Sequence, residues 1–441
     1  MIIENEVKML EIDSIPLCRE NLRLQVTNCQ YDSRLIEEGG LFFAIKGKKN
    51  DGHVFLKEIA EKKALAAVVD QTYSGEDFGL FLYRSKNVRV SLQMMAKELL
   101  EKRNQKVIAI TGSVGKTTTK EFIYSILKDC FSVYKSPGNF NSQVSLPLNI
   151  LNSPKNADVL ILEMGMSQKN EIEKLVNIAP PTLALITKVA LAHAGNFKEG
   201  IYGIAKEKLF ILSHNNTKKK IINHDLLKFK SVKGVKTFSI KEKSANYFLK
   251  IENDMIKIFE NNIKKLEMKS PFYEMHFLED MIAAIAVARE MNVNFEKIFI
   301  ALKNLILPPL RGEKIKKNDI LFINDCYNAN LASTEAALVS LSEYQNKKIA
   351  VLGEMKELGD FSLPCHEKIA NIALKYVDEV VCYGKDTFVI FEIFQKQKKM
   401  SKFFIDKNEM ISFLKKHLKK NDVVLIKGSR SCGLELIVDL L

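Results

Sequence analysis

The 441-residue sequence lacks several patterns that would assign it to a common protein class. Its seven cysteines form no Cys-x-x-Cys pair and no metal-ligand spacing, which favours reduced thiols over a disulfide framework. No run of about 18 apolar residues occurs, so no membrane-spanning helix is predicted. The opening stretch, MIIENEVKML, carries acidic residues where a secretory signal needs basic ones. We therefore expect a soluble, cytoplasmic protein.

Other absences limit the range of ligands. The C-terminal third contains no Gly-x-Gly-x-x-Gly motif, which disfavours a dinucleotide cofactor. The formal net charge of +13, from 66 basic and 53 acidic residues, suits an anionic ligand. The lysines are scattered, however, and no basic stripe is interleaved with aromatic residues, so solvated lysine-rich faces explain the charge. We expect a monomer that binds small molecules and not nucleic acid.

The most informative stretch is Lys106 to Glu121, KVIAITGSVGKTTTKE. An apolar run predicts a buried strand, a glycine-containing loop follows, and apolar residues four apart then predict a helix. Such a loop turns backbone N–H groups toward phosphates, while Lys116 reaches the β/γ-phosphates and the Thr117 hydroxyl serves Mg²⁺. The first glycine lies two residues closer to Gly-Lys than in the general P-loop pattern, and an ordinary β–α turn is the alternative. The predicted ATP-binding residues here are Thr111, Gly112, Ser113, Val114, Gly115, Lys116, Thr117 and Thr118.

Polar residues also follow other predicted strands. Glu163 ends the apolar run DVLILEMG, at the sheet edge where ligands of parallel α/β sheets collect, and a carboxylate there suits Mg²⁺. His193 follows the strand Thr182–Thr187, although a lone histidine is equally well explained by packing or capping. Asn139 and Asn141 lie in a turn, where they either supply turn conformations or bind substrate.

The length and the alternation of predicted strands and helices indicate an α/β protein of three domains. We predict a small α/β domain over 1–104, a central P-loop domain with a parallel sheet over 105–310, and a Rossmann-like α/β domain over 311–441. The stretch 307–312, which contains Leu307-Pro308-Pro309 and Arg311-Gly312, is predicted to be the hinge before the third domain.

Together these motifs resemble the Mur ligase family, the ATP-dependent amide-bond ligases of peptidoglycan synthesis. The resemblance spans nearly the whole chain and rests on TGSVGKTTTKE, SPGNFNSQVSLP, LEMG, and ALAH followed by IAKEK. The motifs YDSR, LFFAIKG, DGH, NDCYNAN, LGEMKELG and IKGSRS resemble members that join D-alanyl-D-alanine to UDP-N-acetylmuramoyl-tripeptide. The Asp-Asn-Pro-Arg motif of members that add a diamino acid is absent. The resemblance implies that ATP activates the tripeptide carboxylate as an acyl phosphate, which the dipeptide amine then attacks.

The resemblance also implies roles for individual residues. Lys116 and Arg311 would neutralise phosphoryl groups, Thr117 and Glu163 would hold one Mg²⁺, and Asp325 would contact the nucleotide. A second Mg²⁺ would be held by His193 and a carbamylated lysine, for which Lys206 is the first choice and Lys208 the alternative. The implied substrate-binding residues are Ser33, Lys46, Gly47, Asp51, Gly52 and His53 at the uridine diphosphate, Asn139 and Asn141 in the central domain, and Asn328, Asn330, Lys427, Ser429 and Arg430 at the dipeptide.

One departure from the family pattern concerns the adenine side of the nucleotide site. Phe277 and Asp280 stand where the family usually carries asparagines, so the adenine contacts of this chain are not predicted. Two alternative functions stay open on sequence grounds. One is another ligase of the superfamily, such as a folylpolyglutamate-type or a different muramyl-peptide enzyme. The other is a P-loop nucleotide-binding module without ligase activity.

Overall fold

The computed structural model describes residues 26–47, 50–229 and 232–441, and in these ranges it contains three β-sheets. The sheets have four, nine and six strands, and each takes its strands from one of the three predicted segments. The α/β class is thereby confirmed, whereas the domain boundaries at 104/105 and 310/311 stay predictions. No helix within the described ranges has both the length and the apolar character needed to cross a bilayer.

The first sheet is parallel throughout, in the order β1-β2-β3-β4. Its elements are β1 (Cys29–Gln30), β2 (Leu41–Phe43), α1 (Leu56–Glu61), β3 (Ala66–Asp70) and β4 (Phe81–Ser85), followed by α2 (Val88–Arg103). Strands β2 and β3 are buried along almost their whole length because both of their faces are covered, as is usual for parallel sheets. Asn87 caps the start of helix α2, and its side chain accepts hydrogen bonds from the Arg89 and Val90 N–H groups.

The central sheet has the order β13-β12-β11-β10-β9-β8-β5-β7-β6. Its strands are β5 (Lys106–Thr111), β6 (Val133–Lys135), β7 (Val159–Glu163), β8 (Leu183–Ile186), β9 (Lys219–Asn223), β10 (Lys236–Ser239), β11 (Tyr247–Glu252), β12 (Met255–Glu260) and β13 (Ile263–Lys269). The helices are α3 (Lys116–Leu127), α4 (Ser145–Leu151), α5 (Glu171–Ile178), α6 (Ile201–Leu209), α7 (Met275–Glu290) and α8 (Phe295–Leu302).

The central sheet is not parallel throughout, because β12 and β13 are antiparallel additions at one edge. Short links join β11, β12 and β13, and links this short permit only hairpins. Asn253, Asn261 and Asn262 adopt positive φ in these turns, a conformation that asparagine tolerates better than most residues. The remaining strands, from β6 across to β11, are parallel.

Alternate residues of β5 pack against opposite layers of helices. Ile108 and Ile110 face the core formed with α3, α7 and α8, whereas Val107 and Ala109 face the core that includes α2, α4 and α5. Strand β5 pairs with β7 on one side and with β8 on the other. The chain order therefore reverses at β5, and a ligand crevice is expected beyond the carboxyl ends of these three strands.

The third sheet has the order β14-β15-β19-β16-β17-β18 and is parallel except at β14. Its strands are β14 (Glu313–Lys317), β15 (Ile320–Asn324), β16 (Lys348–Gly353), β17 (Glu379–Tyr383), β18 (Met400–Phe404) and β19 (Val423–Lys427). The helices are α9 (Leu331–Ser340), α10 (Ser362–Tyr376), α11 (Phe388–Lys396), α12 (Lys407–His417) and α13 (Ile437–Leu440). Strand β14 is antiparallel because a tight turn at Asn318-Asp319, with both residues at positive φ, returns the chain directly.

Side chains also join the first sheet to the central part of the chain. Asn152, which ends α4, accepts a hydrogen bond from the Cys29 N–H through Oδ1 and donates from Nδ2 to the Cys29 carbonyl, both over 2.8 Å. The amide of Asn152 therefore pairs with β1 much as a backbone peptide would.

Candidate functional site

A cavity of about 460 Å³ lies beyond the carboxyl ends of the central strands. On the side of the central region, the cavity is lined by the loop between β5 and α3 (residues 112–115), which we call the phosphate-type loop. The turn with Asn139 and Asn141 and the start of α7 also line it on this side. On the side of the C-terminal region, the cavity is lined by Arg311, by the loop after β15 and by Lys427. We call this space the central cavity. Its volume is in the range of small-molecule sites.

The loop between β5 and α3 forms the floor of the central cavity. Gly115 caps α3 with φ of 87°, and a Cβ at this position would lie 2.1 Å from Asp280 Oδ1, so only glycine fits here. The Ser113 N–H donates to the Lys188 carbonyl over 2.7 Å, which fixes the loop to the end of β8. The first N–H groups of α3 have no partner within the helix, and the residues that carry them, Lys116, Thr117 and Thr118, line the cavity, as in anion sites at helix N-termini.

Lys116 lies at the start of α3 with its ammonium group donating to the Gly112 carbonyl over 2.9 Å. Desolvation lowers the pKa of Lys116, Glu163 opposes this shift, and Arg311 adds to it. A bound phosphate group would stabilise the charged form of Lys116, because its negative charge would offset the loss of contact with water. The phosphate role of Lys116 stays a prediction.

Thr117 and Glu163 meet across the loop, and the Thr117 hydroxyl donates to Glu163 Oε2 over 2.8 Å. Asn141 donates to the other oxygen, Oε1, over 2.9 Å, and Glu163 is buried. These oxygen donors suit Mg²⁺, which keeps several waters and usually takes only one or two protein ligands beside substrate phosphates. Among the residues described, no group of three or more His, Cys, Asp or Glu side chains is arranged to hold a metal ion by itself.

His193 also lines the central cavity, but its Nδ1 lies against the Glu357 carboxylate of the C-terminal region. The hydrogen bond from His193 lowers the pKa of Glu357. The Glu357 carbonyl further accepts from the Gly195 N–H over 3.2 Å. These contacts join the loop after β8 to the loop after β16. The metal role of His193 stays a prediction.

The structure does not bring Lys206 into the site, which corrects the first choice of lysine on α6. Lys206 is exposed and outside the central cavity, whereas Lys208 is buried and lines it. Burial lowers the pKa of Lys208 well below its usual value, and the neighbouring Lys116 lowers it further. The sequence held a signal for this: Ile201, Ile204 and Lys208 recur at the spacing of one helix face, which places Lys206 on another.

The C-terminal wall of the cavity is built on an ion pair. Lys427, at the end of β19, contacts Asp325 Oδ2 over 2.6 Å and donates to the Asn328 carbonyl over 3.2 Å. Lys427 is buried, so this pair holds the loop after β15 in place. The Arg311 guanidinium lies 4.1 Å from the centre of the Tyr327 ring, a cation–π contact within the same wall.

Phe277 and Asp280, the residues that depart from the family pattern, both line the central cavity on the first turns of α7. Asp280 is buried against the phosphate-type loop. Burial raises the pKa of Asp280 well above its usual value, and the adjacent Glu279 carboxylate raises it further. At this position the chain therefore carries a carboxyl group whose charged form is disfavoured.

A second cavity, of about 330 Å³, lies at the first sheet and is called the N-terminal cavity. Lys46 and His53 line it, and their contact with the uridine diphosphate end stays a prediction. Asp51 orients His53, since its Oδ1 is 2.6 Å from His53 Nδ1, while His53 Nε2 accepts from the Asp70 N–H over 2.9 Å. Ser33, Gly47, Asp51 and Gly52 do not line this cavity.

Several other predicted residues lie away from the central cavity. Thr111 is buried within β5, the Ser429 hydroxyl accepts from the Lys356 N–H over 2.9 Å, and Arg430 pairs with Glu435. Asn330 caps α9 by accepting from the Ser333 N–H over 3.0 Å, yet it still lines the cavity, as do Asn328, Asn139 and Asn141. The roles of all these residues in substrate binding stay predictions.

Sequence reasoning missed one buried lysine that shapes the site. Lys120 donates to the carbonyls of Ser136 and Gly138, each over 2.7 Å, and so holds the turn that carries Asn139 and Asn141. Its position one helical turn after Lys116 was the available signal, because residues four apart share a helix face.

Comparison with known proteins agrees with this architecture. The Mur ligase middle domain matches residues 110–288, and the Mur ligase, glutamate ligase domain matches residues 310–430. The UDP-N-acetylmuramoyl-tripeptide–D-alanyl-D-alanine ligase of Bacillus subtilis strain 168 is 32% identical over 417 residues, 92% of this chain and 91% of the relative.

Two solved structures are similar over nearly the full length. MurF from Acinetobacter baumannii has a TM-score of 0.85 and 26% identity, covering 97% of this chain and 95% of that one. The MurF ligase from Thermotoga maritima in complex with ADP has a TM-score of 0.81 and 28% identity, covering 95% and 98%. With both family domains matched and relatives aligned along almost the whole sequence, the chain belongs to the Mur ligase family.

Proposed function

We propose that this protein is a cytoplasmic, ATP-dependent ligase that joins D-alanyl-D-alanine to UDP-N-acetylmuramoyl-tripeptide in peptidoglycan precursor synthesis. One observation carries the proposal: the central cavity is lined by the phosphate-type loop, by the Thr117–Glu163 pair and by Arg311. The names of the similar proteins support the choice of substrates. We further propose that the protein acts as a monomer.

The reaction joins a carboxylate, which is a poor acyl donor, to an amine. A carboxylate oxygen of the tripeptide attacks the γ-phosphorus of ATP, and ADP leaves with the electrons of the broken P–O bond. The amine nitrogen of the dipeptide attacks the resulting acyl phosphate, loses a proton, and phosphate departs. Lys116, Arg311 and the loop N–H groups neutralise and position the phosphoryl group, which is the main protein contribution in phosphoryl transfer.

Thr117 and Glu163 would hold Mg²⁺, since the hydroxyl and carboxylate oxygens are the ligand type that this ion prefers. Bound Mg²⁺ would neutralise negative charge on the phosphates. His193 and Lys208 are proposed for a second Mg²⁺. The lowered pKa of Lys208 favours the neutral amine, whose nitrogen can attack carbon dioxide and lose a proton to give a carbamate anion. Carbamylation would thus convert the cationic side chain of Lys208 into an anionic one whose oxygen atoms can bind a metal ion.

A coupled assay tests the proposal directly. Purified protein with the UDP-muramoyl-tripeptide, D-alanyl-D-alanine, ATP and Mg²⁺ should release ADP and phosphate in equal amounts. Absence of turnover above background from folded protein would contradict the proposal. Exchanging the acceptor for glutamate or a diamino acid separates it from other ligases of the superfamily. Positional isotope exchange within ATP that depends on the tripeptide separates it from a nucleotide-binding module.

A further inference from the structure

Arg89 lies where the two cavities meet. Among the residues that the structure describes, it alone lines both the N-terminal cavity and the central cavity. The N-terminal cavity extends from Arg89 toward Lys46 and His53, and the central cavity extends from Arg89 toward Lys116. A ligand that occupied both cavities would therefore pass this side chain.

Helix α2 holds Arg89 at this junction through contacts on both sides. On the side of the first sheet, the Ser91 hydroxyl lies 2.6 Å from the Ser85 hydroxyl at the end of β4. On the central side, Gln93 Nε2 donates over 3.0 Å to the Gln143 carbonyl, close to the turn with Asn139 and Asn141. Arg89 lies two residues before Ser91 and four before Gln93, so its backbone is fixed relative to both cavities.

The side chain of Arg89 is exposed, and no carboxylate pairs with it in the described part of the chain. An anion in the N-terminal cavity would also lie near the Lys46 cation, which lines that cavity together with Arg89.

We propose that Arg89 is a substrate-binding residue that holds an anionic group in the middle of the UDP-muramoyl-tripeptide. This rests on the proposed function, in which the nucleotide end occupies the N-terminal cavity and the reacting carboxylate occupies the central one. The group held is a phosphate or carboxylate oxygen of the connecting stretch. A guanidinium suits either, because its fork of N–H donors matches two oxygens of one anion.

Calorimetric titrations test the proposal without requiring turnover. Wild type, Arg89→Ala, Arg89→Lys and the control Lys97→Ala are each titrated with UDP-muramoyl-tripeptide and with UDP alone. Lys97 is an exposed cation on the same helix that lines neither cavity. Arg89→Ala should weaken tripeptide binding about tenfold or more, as expected for a charge-assisted contact, and Arg89→Lys should restore only part. Equal loss for UDP alone identifies a phosphate contact, whereas unchanged UDP binding identifies a carboxylate.

Steady-state kinetics provide the second readout. Arg89→Ala should raise KM for the tripeptide by a similar factor and leave kcat and KM for ATP within about twofold of wild type. Tripeptide affinity in Arg89→Ala equal to that in Lys97→Ala would overturn the assignment, as would an equal fall in kcat without a change in KM. If wild type binds the tripeptide but does not turn over, the proposed function fails while the titrations still decide on Arg89. If wild type binds neither UDP compound, both proposals are wrong.

Discussion

The Asp280 carboxyl group packs directly against the α-carbon of Gly115, at the point where the phosphate-type loop becomes helix α3. The contact places a buried acid beside the N–H groups that are proposed to hold phosphate. Burial and the Glu279 carboxylate raise the pKa of Asp280, so ionisation of this group opposes folding.

Replacing this acid by its neutral isostere should therefore change the pH dependence of stability. The unfolded chain releases the Asp280 proton near pH 4, whereas the folded protein keeps it to a higher pH. The free energy of unfolding falls as pH rises through that window, because the folded state binds the extra proton. Asp280→Asn should be more stable than wild type by about 1–3 kcal/mol at pH 8, with a smaller difference at pH 5. Urea unfolding at several pH values measures this.

Asp254→Asn is the matched control, since Asp254 is an exposed aspartate in the turn between β11 and β12. It should leave the pH profile of unfolding unchanged. A constant difference between Asp280→Asn and wild type from pH 5 to pH 8 would show that Asp280 is ionised in the folded protein.

Lys116→Ala should lower kcat by about a hundredfold or more, because the variant loses the cation that neutralises the transferring phosphoryl group. Lys128→Ala, an exposed lysine after the last turn of the same helix, should retain wild-type kcat. The coupled assay measures both variants. Near-normal kcat for Lys116→Ala would contradict the proposed role.

Replacing each of the two lysines of α6 by alanine should have opposite effects on activity. Lys208→Ala should lose activity, and short carboxylates such as acetate should restore part of it by replacing the carbamate oxygens. Lys206→Ala should stay active, because Lys206 is exposed outside the central cavity. Titrating each variant with acetate at fixed Mg²⁺ measures the rescue. Full activity of Lys208→Ala, or loss of activity only in Lys206→Ala, would reverse the assignment.

The Lys427–Asp325 pair should contribute to stability as well as to the shape of the cavity wall. Lys427→Met leaves Asp325 without its buried partner and should destabilise the protein by about 3 kcal/mol. The double variant Asp325→Asn/Lys427→Met removes both charges and should recover part of this loss. Thermal unfolding of wild type, Asp325→Asn, Lys427→Met and the double variant at pH 7.5 tests the coupling, and additive single effects would argue against it.

Much of the site could be predicted because its elements are local in sequence. Only a few residues separate the apolar run of β5 from the glycine at the start of α3 and from the lysine and threonine after it. Local backbone geometry alone therefore sets the positions of these groups relative to one another. Glu163 was predictable for a related reason: it ends a buried strand, and the ends of parallel strands meet at one edge.

Residues whose roles depend on distant packing were missed or misplaced. Lys206 and Lys208 differ by two positions on one short helix, and the burial of one face of α6 selects between them. Arg89 carries no motif, and it stands at a junction because α2 is held both by Ser85 and by the loop at Gln143. The antiparallel edge of the central sheet arises from two-residue turns between β11, β12 and β13. The general alternation of strands and helices along the sequence does not indicate these turns.

The phosphate-type loop, the strand-end carboxylate and the α/β class follow from short stretches of sequence, because strand burial and helix capping act over a few neighbouring residues. Other contacts join distant parts of the chain. Asp280 meets Gly115 and His193 meets Glu357, and in each pair the residues are more than 100 positions apart. Arg89 lies at the junction of two cavities that belong to separate structural regions. Such contacts arise when the sheets pack their helices and dock against one another, and no local pattern encodes the resulting distances.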